Sequence, residues 1–175
     1  MVEQPELLTT ARLTLREPRA EDAPRIAALA GDFDVARMTT NIPHPYSLGE
    51  AEAFLGRAAA RQRDHHALFA LELEDEGVIG ILGFHPKTPP APEVGYWIGR
   101  PYWGQGYATE AASAALAWAG EGWGKRLVMS GHFADNPASG RVLEKAGFLY
   151  TGVVEPRRSL ARGADAATRL MVWLA

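Results

Sequence analysis

One stretch constrains the chain more than any other. From Glu93 to Ala111 it reads Glu-Val-Gly-Tyr-Trp-Ile-Gly-Arg-Pro-Tyr-Trp-Gly-Gln-Gly-Tyr-Ala-Thr-Glu-Ala. A strand-forming run ends at Ile98, Gly104 and Gly106 turn the chain, and a helix-forming run opens at Tyr107. A strand–turn–helix of this kind leaves several backbone N–H groups unpaired at the helix N-terminus, where the helix dipole adds positive potential. That is a site for an anion, and a phosphate or pyrophosphate fits it. Glycine allows the anion to come close because it has no Cβ. The Walker pattern is absent, and GxGxxG is not completed, because Tyr107-Ala108-Thr109 follows Gly104-Gln105-Gly106. ATP and NAD are therefore disfavoured as ligands. A tight turn with no ligand is the other reading of a lone Gly-x-Gly.

The rest of the chain supplies a mixed fold around this turn. Ala11–Glu17 alternates Leu13 and Leu15 with polar neighbours and predicts a strand, followed by a helix over about Asp22–Ala30. Residues 31–46 predict a loop with one irregular helical turn, since Pro43 and Pro45 forbid more. Ser47-Leu48-Gly49-Glu50 is a capping box, and the stripe Ala51, Phe54, Leu55, Ala58 carries a helix to about Arg63. Strands follow at Ala67–Leu73, at Val78–Phe84 across the Asp75-Glu76-Gly77 turn, and at Glu93–Ile98 beyond a Pro-rich loop at Thr88–Pro92. After the helix that opens at Tyr107 and runs to about Gly120 come a strand at Arg126–Phe133, a helix at Asn136–Ala146 and strands near Leu149–Glu155 and Ala167–Leu174. Pro137 at the first position of that helix and Gly147 just past its end fit the usual asymmetry of helix termini. The order β α α β β β α β α β β predicts an α+β fold, one domain over residues 1–175. Its twisted, mostly antiparallel sheet has about seven strands with four flanking helices. The helix at 107–120 makes one parallel crossover between two central strands.

Composition narrows the function. The 175 residues contain no cysteine, which excludes a disulfide framework, a thiolate metal site and a cysteine nucleophile. His65-His66 has no ligand spacing, so no metal is expected. A net charge of −3 argues against a nucleic-acid binder, and no apolar run is long enough to span a bilayer. The opening MVEQPELLTT lacks the basic start of a signal peptide. A cytoplasmic monomer or homodimer is expected. Charge is uneven: residues 1–99 carry −6 and residues 100–175 carry +3.

A second constellation follows the next strand: Asn136-Pro-Ala-Ser-Gly-Arg-Val-Leu-Glu-Lys-Ala-Gly-Phe148. With both motifs in this order the sequence resembles the GNAT superfamily of acyl-CoA N-acyltransferases, over about residues 9–174. The family pyrophosphate motif [QR]xxGx[GA] aligns on Trp103-Gly104-Gln105-Gly106-Tyr107-Ala108, with Trp103 replacing Gln or Arg. The form Trp-Gly-x-Gly-Tyr-Ala-Thr-Glu-Ala, with Asn-Pro-Ala-Ser and Glu-Lys-x-Gly-Phe, is similar to the branch that includes ribosomal-protein N-terminal acetyltransferases. Thr10-x-Arg12-Leu13-x-Leu15-Arg16 fits that branch's opening strand.

The resemblance implies acetyl-CoA as the acyl donor and a primary amine, on a peptide N-terminus or a small molecule, as the acceptor. It implies that amides of Gly104, Gln105, Gly106, Tyr107, Ala108 and Thr109 cradle the pyrophosphate. Arg100, Arg141 and Lys145 are candidates for the 3′-phosphate. Backbone of Tyr96, Trp97 and Ile98 and the side chain of Asn136 would hold the pantetheine arm, Asn136 being also a natural helix N-cap. Tyr96 and Trp103 are candidates for the acceptor groove. An ammonium must lose a proton before it attacks, and Glu93 is the first candidate base, with His85, His132 and Asp135 behind it. Many relatives protonate the departing thiolate with a Tyr seven residues after the Asn; Leu143 stands there, and Ser139 is the candidate near the sulfur. The missing Tyr leaves a second reading, a non-catalytic acyl-CoA-binding module. Asp32, Asp34, Glu50, Glu52 and Asp64 suggest a cationic acceptor.

Overall fold

The computed structural model describes residues 7–61, 66–88 and 91–175. The expected helix end near Arg63, together with Asp64, His65, the Pro89–Pro90 part of the Pro-rich loop and the segment before Leu7, lies outside the described residues. The strands are β1 (Leu7–Thr9), β2 (Leu13–Arg16), β3 (Ala67–Leu73), β4 (Gly77–Thr88), β5 (Ala91–Ile98), β6 (Leu127–Phe133), β7 (Leu149–Ser159) and β8 (Ala164–Leu174). The helices are α1 (Ala23–Ala30), α2 (Phe33–Ala36), α3 (Leu48–Ala59), α4 (Tyr107–Glu121) and α5 (Pro137–Lys145).

One sheet runs in the order β1-β2-β3-β4-β5-β6-β8-β7. Every neighbouring pair is antiparallel except β5–β6, where α4 makes the expected parallel crossover. The eighth strand is β1, three residues too short to show a period in the sequence. Strands β7 and β8 form a hairpin longer than expected, because β7 is exposed along most of its length and shows no buried-face alternation. The irregular turn expected within residues 31–46 is α2, capped by Asp32, whose side chain accepts from the Asp34 N–H.

Two apolar layers form on the two faces of the sheet. On one, Ile26 of α1 and Ala51 and Leu55 of α3 pack against Ala70, Val78 and Ile81, with Trp97 at the margin. On the other, α4 lays Ala111, Ala112, Ala115, Leu116 and Ala119 against Leu15, Phe69, Leu82, Phe84 and Val128. The alanine stripe lets this helix lie close to the strands. Leu143 of α5 joins the same layer with no exposure. Burying such a leucine contributes roughly 1.5–3 kcal/mol. No described helix is long and apolar enough to cross a membrane.

Candidate active site

The site begins where two strands part. β5 and β6 share a single parallel bridge, Glu93 with Met129. Beyond it Ser130 Oγ reaches back to donate to the Val94 carbonyl at 3.0 Å, and the strands then separate. Along a strand the backbone groups of successive residues face opposite neighbours. The Val94 carbonyl faces β6, so Tyr96 and Ile98 turn their backbone the same way, while Gly95 and Trp97 face β4; Gly99 accordingly donates to Ile79 at 2.7 Å. The Ile98 carbonyl is taken by the Trp103 indole N–H at 2.6 Å. The open edge is therefore the N–H and C=O of Tyr96 and the N–H of Ile98. Trp97, expected to offer its backbone, spends it on β4. A cavity of about 1000 Å³ runs through the split, lined by β5 and β6, by the start of α4 and of α5, and by residues 35–43.

At one end of that cavity lies the glycine turn. Gly104 and Gly106 have φ of +73° and +84°, the left-handed region that glycine enters without strain. Gly106 is the N-cap of α4 and has no side chain to close it. The first intrahelical bond is Glu110 N–H to the Gly106 carbonyl, at 3.0 Å. The N–H groups of Tyr107, Ala108 and Thr109 lack an intrahelical acceptor, and these three residues line the cavity with Trp103, Gly104 and Gly106. By contrast α3 and α5 are closed by the side chains of Ser47 and Asn136. Gln105 lies off the cavity wall, its side chain donating to the Pro101 carbonyl at 3.2 Å.

Arg12 holds this turn. It donates from Nη1 to the Gln105 carbonyl at 2.9 Å and from Nε to Glu110 Oε2 at 2.7 Å, and its guanidinium lies 4.3 Å from the centre of the Tyr107 ring. Glu110 also accepts from Thr10 Oγ1 at 2.6 Å and from the Arg12 N–H at 2.8 Å. The strap ties the Gln105 carbonyl and the first turn of α4 to one cation. The Thr-x-Arg motif was visible in the sequence; its partner, about a hundred residues on, was not.

At the start of α5 the Asn136 Oδ1 accepts from the Ser139 N–H at 3.3 Å, so the N-cap role is filled. Its Nδ2 has no hydrogen-bond partner among the described residues, and Asn136 lines the cavity. Both expected roles fit one side chain. Ser139 also lines the cavity, with its Oγ 2.8 Å from the Tyr96 hydroxyl. Arg141 and Lys145 line it further along α5. Arg100 does not: it sits 3.1 Å from Asp34 and 3.8 Å from Asp32. That expectation is corrected by local charge, since two carboxylates at α2 hold the guanidinium away.

Glu93 also departs from the expectation. It is 8% exposed, and both its oxygens accept from Arg157 of β7, at 2.7 and 3.0 Å. Burial alone would push the carboxyl up; His85 and Arg157 outweigh it and hold it down at about 2. His85 Nε2 stands 3.8 Å from Oε1, beyond hydrogen-bond length, so Arg157 is the dominant partner. A carboxylate held this low is a poor acceptor for the proton of an ammonium titrating at about 8–10. Nothing in the sequence joined Glu93 to Arg157. His132 is buried with both ring nitrogens engaged, by the Phe133 carbonyl at 2.8 Å and the Tyr150 hydroxyl at 3.0 Å. Asp135 forms a two-point pair with Arg162 at 2.7 and 2.9 Å. His85, on β4 opposite Glu93, lines the cavity with its ring partly exposed. The expected acidic acceptor side dissolves for the same reason: Asp32 and Asp34 serve Arg100 and Arg37, and of that group only Glu50 lines the cavity among the described residues.

Comparison with known proteins gives a consistent result. Residues 12–149 match the model of a family described as an acetyltransferase (GNAT) domain. The chain is 30% identical over 152 residues to YoaA of Bacillus subtilis, described as an uncharacterized N-acetyltransferase, with 85% of each chain covered. It is 31% identical over 113 residues to the ribosomal-protein-serine acetyltransferase of Escherichia coli, covering 63% of this chain and 62% of that protein. The solved structure of the microcin C7 self-immunity acetyltransferase MccE, in complex with acetyl-CoA and AMP, superposes with a TM-score of 0.84 at 15% identity and 99% coverage of both chains.

Proposed function

Since the chain belongs to the GNAT family of acetyltransferases, we propose that its cavity binds acetyl-CoA and passes the acetyl group directly to a primary amine held in the same cavity. The observation that carries this is the uncapped N-terminus of α4 opening onto the split between β5 and β6. Pyrophosphate sits on the amides of Gly106, Tyr107, Ala108 and Thr109. Arg141 and Lys145 face the 3′-phosphate. The pantetheine arm lies along the open edge of β5 as an added strand, hydrogen-bonded to Tyr96 and Ile98, with Asn136 Nδ2 on one of its amides. The thioester then reaches the level of Val94 and Glu93, on whose far side His85 stands.

The similarity to a ribosomal-protein-serine acetyltransferase supports a peptide α-amine as acceptor. Such amines titrate at about 7.7–8.0, so roughly a tenth is already free base at pH 7. A weak base suffices, and imidazole is suited to it. His85 accepts the proton, and the Glu93 carboxylate 3.8 Å away steadies the imidazolium. The amine nitrogen bonds to the carbonyl carbon, the carbon–sulfur bond breaks, and CoA leaves with the electron pair.

The direct test is thiol release from acetyl-CoA with a panel of amines covering peptide N-termini, amino acids, polyamines and aminoglycosides. Turnover is expected on at least one peptide; binding of acetyl-CoA with no turnover across the panel would favour a non-catalytic module. His85→Gln should lower kcat/KM by about 10–100-fold at neutral pH, with acetyl-CoA affinity within about twofold; a rate equal to the parent's removes His85 as base. Arg12→Gln should weaken acetyl-CoA by about three- to tenfold in calorimetry, the scale of one or two lost hydrogen bonds in the turn. An unaltered affinity would mean that the turn keeps its shape without the strap.

A further inference from the structure

The family position that would hold a tyrosine is closed in this chain. Leu143 is fully buried in the α4 layer and cannot reach the cavity. A phenol nevertheless reaches the same wall from the opposite side. Tyr96 projects from β5 across the split, and its hydroxyl lies 2.8 Å from Ser139 Oγ and 3.3 Å from the Ser139 carbonyl. Ser139 stands in the first turn of α5, and both residues line the cavity. We propose that Tyr96 is a positioning residue for the leaving group: its hydroxyl donates to Ser139 Oγ, which frees the Ser139 hydrogen to point at the CoA sulfur. This rests on the reading of the cavity as the acetyl-CoA site.

Hydrogen counting supports the arrangement. Two hydroxyls in contact use one hydrogen between them and have one left for a third atom. The alternative, with Ser139 donating to Tyr96 and Tyr96 to the Ser139 carbonyl, spends both internally. That carbonyl contact is the longer one. A sulfur gaining negative charge favours the first arrangement, and the positive end of α5 lies beside it. Burial holds the Tyr96 phenol up at about 12 and outweighs its hydrogen bonding with Ser139. A CoA thiolate is a weaker base than such a phenolate and does not take its proton. The pair therefore acts by hydrogen bonding alone. Sulfur departs with its electron pair as a thiolate and is protonated by water on release, while the amine's proton leaves by way of His85.

The acceptor-independent test is the thiol pKa of enzyme-bound CoA, read from thiolate ultraviolet absorbance as pH is raised. The proteins compared are the parent, Tyr96→Phe, Ser139→Ala, the double variant and Ser139→Thr. All of them keep His85, Glu93, His132, Arg141, Lys145 and Arg157, the other titratable and charged groups on this part of the wall. The parent's bound thiol should titrate below the thiol of free CoA measured in the same buffer. Each single removal should raise it by about half a unit or more, the double variant should add nothing further, and Ser139→Thr should restore the parent value. Single-turnover rates should fall in the same order with acetyl-CoA affinity held within about threefold. A Tyr96→Phe protein with the parent's thiol pKa, or additive shifts in the double variant, overturns the proposal. Failure of the parent to bind CoA in calorimetry overturns the acetyl-CoA reading itself and the proposal with it.

Discussion

Glu93→Gln is expected to cost the fold about 3 kcal/mol, a loss of roughly 6–12 °C in Tm for a chain of this size. The carboxylate and Arg157 are 11% and 14% exposed at their side chains, so in the variant the guanidinium faces a neutral amide in a nearly dry site and keeps only Glu155, 2.8 Å from its Nε, as a charged partner. Removing one partner of a buried pair is costly because the other charge stays behind. The pH dependence follows from the direction of the shift. The Glu93 carboxyl is lowered in the folded protein, from 4.5 to about 2. Its contribution is complete above the unfolded value and is lost as pH falls from about 4.5 towards 2. The parent should lose this increment across that window and the variant should not. Equal acid slopes in denaturant titrations of the two proteins would falsify the pairing as a source of stability. Replacing both partners with leucine should recover most of the loss, since the one charge that then loses its partner, Glu155, is 42% exposed and solvated.

Gly106→Val should cut acetyl-CoA affinity by at least about tenfold while moving Tm by only a few degrees. A β-branched residue at φ +84° is a severe outlier, and its Cβ would lie 3.3 Å from Arg12 Nη2. The turn must relax towards negative φ, which rotates the Tyr107 and Ala108 amides away from the anion. Few core contacts are disturbed, because the turn is exposed. Gly104→Ala is the control: at φ +73° its Cβ meets nothing within 4 Å, so only backbone strain of about 1–2 kcal/mol is added. Calorimetry with acetyl-CoA decides the matter. An unchanged Kd in Gly106→Val would take the pyrophosphate off these amides.

These two predictions differ in how far the sequence led to them. The glycine turn was legible because it is local: strand, Gly104, Gly106 and helix occupy consecutive positions, and each residue type has a backbone reason to be there. The Asn136 cap was legible for the same reason, and the leucine at position 143 from the resemblance. The Glu93 pair was not, since Arg157 lies 64 residues away on a strand whose exposed face gave no periodic signal. As a lone acid at a strand start, Glu93 read as a base; with Arg157 upon it, it is a fixed anion. Arg100 was misplaced by the same blindness to partners.

By itself the sequence determined what backbone geometry dictates: the order of every element but the short β1, the parallel crossover, the glycine turn that leaves a helix uncapped, and the family resemblance they carry. Tertiary structure alone decided which side chains meet. It set Arg12 on Glu110, Tyr96 on Ser139 and Arg157 on Glu93, and the last of these meetings holds the Glu93 carboxyl low, which is what moved the proposed base to His85. The physical reason is range. Propensity, capping and turn conformation act within a few residues, whereas a protonation state depends on charges brought within a few ångströms by strands far apart in the chain.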